Sequence, residues 1–265
     1  MSQTVEVEID SHICTIRLNR PQALNALNQS MWKELREAVQ RLSRESAVRA
    51  AIITGTGRAF CAGADLKEHP WRDATQAENR MRIEANQQQI ARAMIDAPVP
   101  IIAAINGFAV GGGVEITLAA DIRVASDQAQ LWFPETSIGR FITGGASVLL
   151  PRLVGLGHAK RLIYTGERVD AKRALAIGLV EEVTAPGALM ARCRAIADQI
   201  AENSTVSVTL SKRVLNRVSL SELDTALTME TEALISTYTT DEAQAGIQAF
   251  ARRNACGLKK NDSSP

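Results

Sequence analysis

Along the first eighteen residues, apolar positions alternate with polar ones. Val5, Val7 and Ile9 form one series, and Cys14, Ile16 and Leu18 form another beyond the turn Asp10-Ser11-His12. A period of two on both sides of a short polar turn predicts a β-hairpin. The period then becomes helical. Leu35, Ala38, Val39 and Leu42 share one helix face, with Asn28 or Ser30 as the N-cap. Residues 48–54 (VRAAIIT) are almost continuously apolar, as suits a strand covered on both faces. After the glycine-rich TGTGRAFCAGADLKE, a helix is expected from about Gln76 to Ile95. Pro98 and Pro100 end it, and IIAAI supplies another buried strand.

NGFAVGGG leads into the helix VEITLAA, and DIRVAS and AQLWF read as short strands. Asp170 is placed to cap AKRALAI, Gly178 to stop it, and LVEEV to form the next strand. Beyond about Pro186 only helical periods remain, in MARCRAIADQIAEN, VTLSKRVLNRV and LDTALTMETEALIST, before a polar tail KKNDSSP that is expected to fray. The pattern predicts an α/β core over residues 1–195 and a helical region over 196–265. No repeat and no low-complexity linker separates them, so the two are expected to share a core.

Composition narrows the class. A length of 265 residues allows one large domain or two small ones. With 46% hydrophobic and 22% charged residues the chain is globular in type, and 4% aromatics leave Leu, Ile, Val and Ala to build the core. Lys and Arg number 30 against 29 Asp and Glu, a formal charge of +1. That balance gives no general field for nucleic acid or an acidic membrane face. The N-terminus lacks a basic region followed by an apolar stretch, and the longest apolar run, Val99 to Ile105, is far short of a bilayer span. Cys14, Cys61, Cys193 and Cys256 show no CxxC spacing, and His12, His69 and His158 stand in unrelated contexts. No disulfide framework and no metal site is expected, and a reducing cytoplasm fits.

Two glycine loops invite a ligand. Gly55-Thr56-Gly57-Arg58-Ala59-Phe60 lacks the third glycine of a dinucleotide fingerprint, and no P-loop sequence occurs. Gly111-Gly112-Gly113 sits where a buried strand enters an apolar helix. There, unpaired N–H groups and the positive dipole end would meet a ligand oxygen. Tight strand–helix packing would also use these glycines. Glu115 follows among Val114, Ile116, Leu118 and Ala119, and Glu135 follows the apolar run Leu131-Trp132-Phe133-Pro134. Each alone would fit a dipole carboxylate or a loop glutamate. Together they make an acid–base pair beside a helix N-terminus. No nucleophile competes: Ser147 is not in a GxSxG elbow, and Cys61 has no evident base.

Taken together, LNRPQALNAL (18–27), AIITGTGRAFCAGADLKE (51–68), PVPIIAAINGFAVGGGVEITLAADIRVAS (98–126), FPETSIG (133–139), LPRLVG (150–155) and YTGERVDAKRALAIGLVEEV (164–183) resemble the enoyl-CoA hydratase/isomerase (crotonase) family over nearly the whole chain. The resemblance implies a spiral of ββα turns with a C-terminal helical trimerisation domain. It implies an oxyanion hole from the backbone N–H groups of Ala64 and Gly112. It also implies a CoA site along Ala62, Ala64, Asp65, Leu66, Lys67 and Gly112, with Ala23 nearby and the Ala62 backbone reading the adenine amino group. Glu115 and Glu135 would then hold a water between them, Glu115 taking its proton and Glu135 protonating C2. The implied reaction is reversible addition of water to a 2-enoyl-CoA thioester. CoA arrives on the substrate, no separate cofactor is needed, and the assembly is a trimer or a dimer of trimers.

The chain departs from the hydratase pattern in two places. Where hydratases commonly read GTIPGAGGTQRL, it reads Gly139-Arg140-Phe141-Ile142-Thr143-Gly144-Gly145-Ala146-Ser147-Val148, so Arg140, Phe141 and Thr143 become acyl-pocket candidates. Gln22 stands where a lysine is frequent, which removes a phosphate contact. Alternatives are a dehydratase or isomerase acting on a functionalised acyl-CoA, or a CoA-binding or scaffolding protein without turnover. Nothing in binding alone requires both glutamates.

Overall fold

The opening alternation folds as the predicted hairpin in a computed structural model that describes residues 3–68, 74–238, 240–243, 245–249 and 252. β1 (Val5–Asp10) pairs antiparallel with β2 (Ile13–Leu18), Val5 opposite Leu18 and Asp10 opposite Ile13. His69, Cys256 and the tail KKNDSSP lie outside the described residues. α1 (Gln29–Arg41) starts at Asn28, whose Oδ1 accepts from Met31 N at 3.0 Å, so Asn28 rather than Ser30 is the cap. It buries Met31, Trp32, Leu35, Ala38 and Val39.

From here the chain winds in repeated turns, each giving one strand to a larger sheet and one to a smaller sheet. The first turn is β3 (Ala50–Gly55), β4 (Ala59–Cys61), then α2 (Gln76–Ile83) and α3 (Gln89–Asp96). A π-helical turn over 84–88 joins the two helices, so the predicted single helix is continuous but locally wound wide. The second turn is β5 (Ile101–Ile105), β6 (Phe108–Val110) and α4 (Gly112–Ala119). The third is β7 (Ile122–Ser126), β8 (Gln130–Trp132), α5 (Ala146–Val154) and α6 (Leu156–Thr165). β9 (Val169–Asp170) closes the small sheet antiparallel to β8. After α7 (Ala171–Ala176), capped by Asp170, β10 (Glu182–Thr184) joins the large sheet parallel to β7. The sheet orders are β1-β2-β3-β5-β7-β10 and β4-β6-β8-β9.

The apolar run of β3 splits by parity. Ala51 and Ile53 face the main core with α1, whereas Ala50 and Ile52 join Ile13, Ile102, Ala104 and Val124 on the opposite face. That second face is covered by Leu189, Cys193 and Ala197 of α8 (Leu189–Ala201), a helix that runs through residue 195. Both faces of the sheet's central strands β3 and β5 are thereby dry, which is why these strands, unlike the edge strand β1, are not amphipathic.

Two more helices follow, α9 (Thr205–Ser219) and α10 (Leu223–Thr237). α9 is tied to the core by its buried Lys212. Nζ donates to Met94 O at 2.9 Å, Val99 O at 3.1 Å and Asp121 Oδ2 at 2.8 Å. Asp121 also accepts from Ile101 N at 2.7 Å, so this one ammonium joins the end of α3, the start of β5 and α9. Lys212→Met keeps the volume but removes all three bonds and leaves Asp121 without its counter-ion. A loss of about 3 kcal/mol is expected, read as a lower urea midpoint. An unchanged midpoint would show that α9 is held by packing alone.

Candidate active site

The loop after β4 and the N-terminus of α4 form one wall. Leu27 and Ala64 make a parallel bridge in which Leu27 N donates to Gly63 O (2.8 Å) and Asp65 N donates to Leu27 O (3.1 Å). Bonding through the flanking residues turns the Ala64 N–H to the other side, toward the cleft. Asn25 sets this loop from behind. Fully buried and in the left-handed region (φ 56°), it donates from Nδ2 to Ala59 O at 2.8 Å and accepts from Arg20 N at 2.9 Å on Oδ1. Asn25 is thus what the LNRPQALNAL segment contributes.

The three glycines meet three separate demands. A Cβ on Gly113 would lie 2.2 Å from Cys61 O, so Gly113 lets α4 pack on β4. Gly111 adopts φ +49° and, if it carried a Cβ, would place it 2.3 Å from Glu135 Oε1. Gly112 is the first helical residue, so its N–H has no intrahelical acceptor. Among the described residues neither Ala64 N nor Gly112 N donates to a protein acceptor. A Cβ built on Gly63 would sit 3.5 Å from Gly112 N, which shows how closely the two donor segments approach.

The cleft in front of them is open to solvent and, counted out to it, holds about 580 Å³ of empty space. Of the sequence candidates, Ala62, Ala64, Leu66, Gly112, Glu115, Glu135, Arg140, Phe141 and Thr143 line it. Ala23, Asp65 and Lys67 do not. The Asp65 carboxylate is taken by Arg20 at 3.1 Å, and Lys67 is exposed. Trp32, Gln87, Ile138 and Leu234 also line it and were not singled out from sequence. Their signal was apolar or amidic and did not differ from that of core positions.

Glu115 is 5% exposed and accepts from Thr143 N at 2.6 Å and Thr143 Oγ1 at 2.8 Å. Thr143 is therefore a partner of Glu115 as well as a pocket wall. Burial outweighs these bonds and raises the Glu115 carboxyl from its ordinary value to about 7. Glu135 presents an Oε2 that is sealed from solvent and has no hydrogen-bond partner among the described residues. Burial first and the neighbouring Glu115 charge second raise it to about 8. Arg140, stacked 4.6 Å over the Tyr238 ring, pulls both in the opposite direction without cancelling the rise. Two like charges this close do not ionise together easily. Both carboxyls therefore hold a proton more tightly than an ordinary glutamate.

A cleft with two free backbone donors at one end and a buried carboxyl pair of raised proton affinity beside it is the equipment of carbonyl-activating acid–base enzymes. Comparison with known proteins narrows the class further. The profile of the Enoyl-CoA hydratase/isomerase family matches residues 8–260. A putative enoyl-CoA hydratase/isomerase of Bacillus subtilis is 42% identical over 252 residues, covering 94% of this chain and 95% of its own. The short-chain-enoyl-CoA hydratase of Clostridium acetobutylicum is 38% identical, covering 97% and 98%. The crystal structure of an enoyl-CoA hydratase/isomerase from Mycobacterium paratuberculosis superposes with a TM-score of 0.85 at 31% identity, over 94% of this chain and 99% of that one. The chain belongs to the enoyl-CoA hydratase/isomerase family, and its two-sheet winding is the crotonase-type spiral expected from sequence.

The close approach at Gly111 gives a direct test of the site. Gly111→Ala would need the Glu135 carboxyl to retreat from the 2.3 Å overlap to ordinary van der Waals distance. A crystal structure of the variant should show that carboxyl displaced by about 1 Å, with α4 otherwise in place. An undisplaced carboxyl would mean that the backbone, not Glu135, yields.

Proposed function

We propose that the protein is a hydro-lyase that adds water reversibly across the 2,3 double bond of a short-chain 2-enoyl-CoA thioester. The observation that carries this reading is the pair of buried, proton-retaining glutamates beside the unengaged N–H groups of Ala64 and Gly112. The thioester oxygen accepts from both N–H groups, which stabilise the enolate that forms as water attacks C3. One such donor is typically worth about 2.7–4 kcal/mol. Glu115, ionised and oriented by Thr143, takes the proton of the attacking water. Glu135, holding the shared proton, delivers it to C2. Afterwards Glu115 carries a proton and Glu135 does not, and exchange between them resets the pair. The names of the Bacillus and Clostridium relatives agree with this chemistry.

CoA is carried by the substrate, and no cofactor takes part. Its adenine reaches the Ala62 backbone, and its chain follows Leu66 to the rim, where Lys67 faces the phosphates with Asp65 and Ala23 flanking. The working place is the cytoplasm. No described helix is long and apolar enough to cross a membrane. Arg140 and Phe141 on the same cleft favour a second reading, dehydration or isomerisation of an acyl-CoA carrying a further polar group. A panel of plain, branched and carboxylated acyl-CoAs separates the two.

With crotonyl-CoA as substrate and enoyl absorbance as readout, Glu115→Gln and Glu135→Gln should each lower kcat by about 10²–10⁴-fold while acyl-CoA still binds. Wild-type-like turnover in both would refute the mechanism. The pH profile of kcat/KM should be a bell. Glu115 must be ionised, so activity rises with pH through a limb displaced up toward 7. Glu135 must keep its proton, so activity falls through a limb near 8. Limbs in the ordinary carboxylate range would contradict the assignment.

The assembly is a trimer or a dimer of trimers. Val206, Leu210, Val214, Leu215 and Val218 lie exposed on α9, an apolar face that a second copy would cover. Sedimentation equilibrium should report three or six chains, and a monomer would contradict this.

A further inference from the structure

A third carboxyl stands behind the catalytic pair. Glu230 of α10 is 1% exposed, against 5% for Glu115. Both of its oxygens are engaged by backbone N–H groups at the start of α5. Gly145 N donates to Oε2 at 2.9 Å and Ser147 N donates to Oε1 at 2.8 Å. An acceptor-only geometry on both oxygens, at a helix N-terminus, favours the ionised carboxylate and works against the burial that raises its proton affinity. The turn it fastens is the one that carries Thr143. Ala146 N closes this turn on Thr143 O at 3.0 Å, and Thr143 in turn holds Glu115 through two bonds. Gly144, between them at φ +63°, is in van der Waals range of Glu115: a Cβ built there would be 3.3 Å from Glu115 Cβ and 3.4 Å from Oε2. α10 is itself fastened on the other side of the cleft, where Gln88 Nε2 of the π-turn donates to Leu227 O at 2.6 Å and to Thr231 Oγ1.

We propose that Glu230 is a positioning residue for the hydration reaction, one that locks the Thr143–Ser147 turn onto Glu115 and keeps a fixed negative charge behind it. The inference rests on the hydratase reading given above. The charged and titratable groups facing Glu115 come from every side. Cys61 lies on β4, Glu135 and Arg140 follow β8, and Glu230 is on α10, with Tyr238 behind Arg140. Burial is the main cause of the raised Glu115 proton affinity, and Glu230 adds to it with the same sign. As long as Thr143 keeps its two bonds to Glu115, whose loss would act in the opposite direction, removing the Glu230 charge moves the acid limb of activity down in pH. Crotonyl-CoA still binds, because Glu230 does not line the cleft.

The test compares wild type, Glu230→Gln and Glu230→Asp in crotonyl-CoA hydration across pH. Glu230→Gln is expected to lower kcat tenfold or more with KM within about twofold. Its acid limb should move down by about half a pH unit or more. Glu230→Asp, which keeps the charge on a shorter arm, should restore the limb position but only part of kcat. The infrared band of the protonated carboxyl that Glu115→Gln abolishes should titrate lower in Glu230→Gln, a readout that needs no turnover. Superimposable pH profiles and carboxyl titrations in wild type and Glu230→Gln would overturn the role, whatever happens to kcat or Tm. Failure of wild type to hydrate any enoyl-CoA would instead overturn the hydratase reading.

Discussion

The structure depends on keeping a carboxyl out of water at the head of a helix. Glu115 sits in the first turn of α4, where the helix dipole and unpaired N–H groups favour negative charge. Its side chain is nonetheless sealed among apolar neighbours that disfavour it. Neither influence cancels the other, and the resulting proton affinity lies within reach of neutral pH. Each neighbouring feature serves to hold that balance. Gly111 admits Glu135 within touching distance, Gly144 admits the turn that brings Thr143, and Gly113 lets α4 press against β4. A side chain at any of the three would displace a carboxylate or the helix that carries one.

The spiral makes such a constraint affordable. Each turn delivers a short strand to the small sheet and then enters a helix, so successive turns bring β4, β6 and β8 side by side. Their C-terminal ends are where Ala62 to Ala64, Gly111 to Gly112 and Glu135 emerge. Residues far apart in sequence thus share one cleft without any of them lying on a long free loop. The large sheet, dry on both faces at its central strands, supplies the rigidity behind them. α8 covers its outer face, and Lys212 fixes α9 to the strand entering the second turn.

Much of this was legible in the sequence, for identifiable reasons. The hairpin and α1 carry clean periods of two and 3.6 because each packs a defined face on the core. β3 and β5 read as continuous apolar runs because both of their faces are covered. The C-terminal helices carry the helical period even where, as on α9, the apolar face is exposed. α5 and α6 did not stand out. Gly144, Gly145, Pro151 and Gly155 break the pattern there, and Pro151 is accommodated inside α5. Glu115, Glu135 and the glycines around Gly112 drew notice because two carboxyls in apolar settings and a triple glycine are rare, whereas Ala64 was pointed to only by the resemblance to the family. Asp65 looked like a ligand residue, yet its carboxylate pairs with Arg20. Spacing cannot tell a side chain that faces the cleft from one that ties the loop behind it. Thr143 looked like pocket wall, and only the folded turn shows that it donates twice to Glu115.

Glu230 was the hardest to see, and physics explains why. It lies on α10 among Leu227, Thr231, Leu234 and Ile235, more than a hundred residues after Glu115. On helical periodicity alone it reads as a polar interruption of an apolar face. A buried carboxylate there is tolerable only because α5 begins opposite it with two unpaired N–H groups. That match of an orphan donor pair with an orphan acceptor pair joins the helical C-terminal part to the catalytic part. The C-terminal helices accordingly do more than offer an apolar surface to another copy. Through Glu230 and Gln88, α10 is bonded to two turns that carry cleft-lining residues, the one with Thr143 and the one with Gln87.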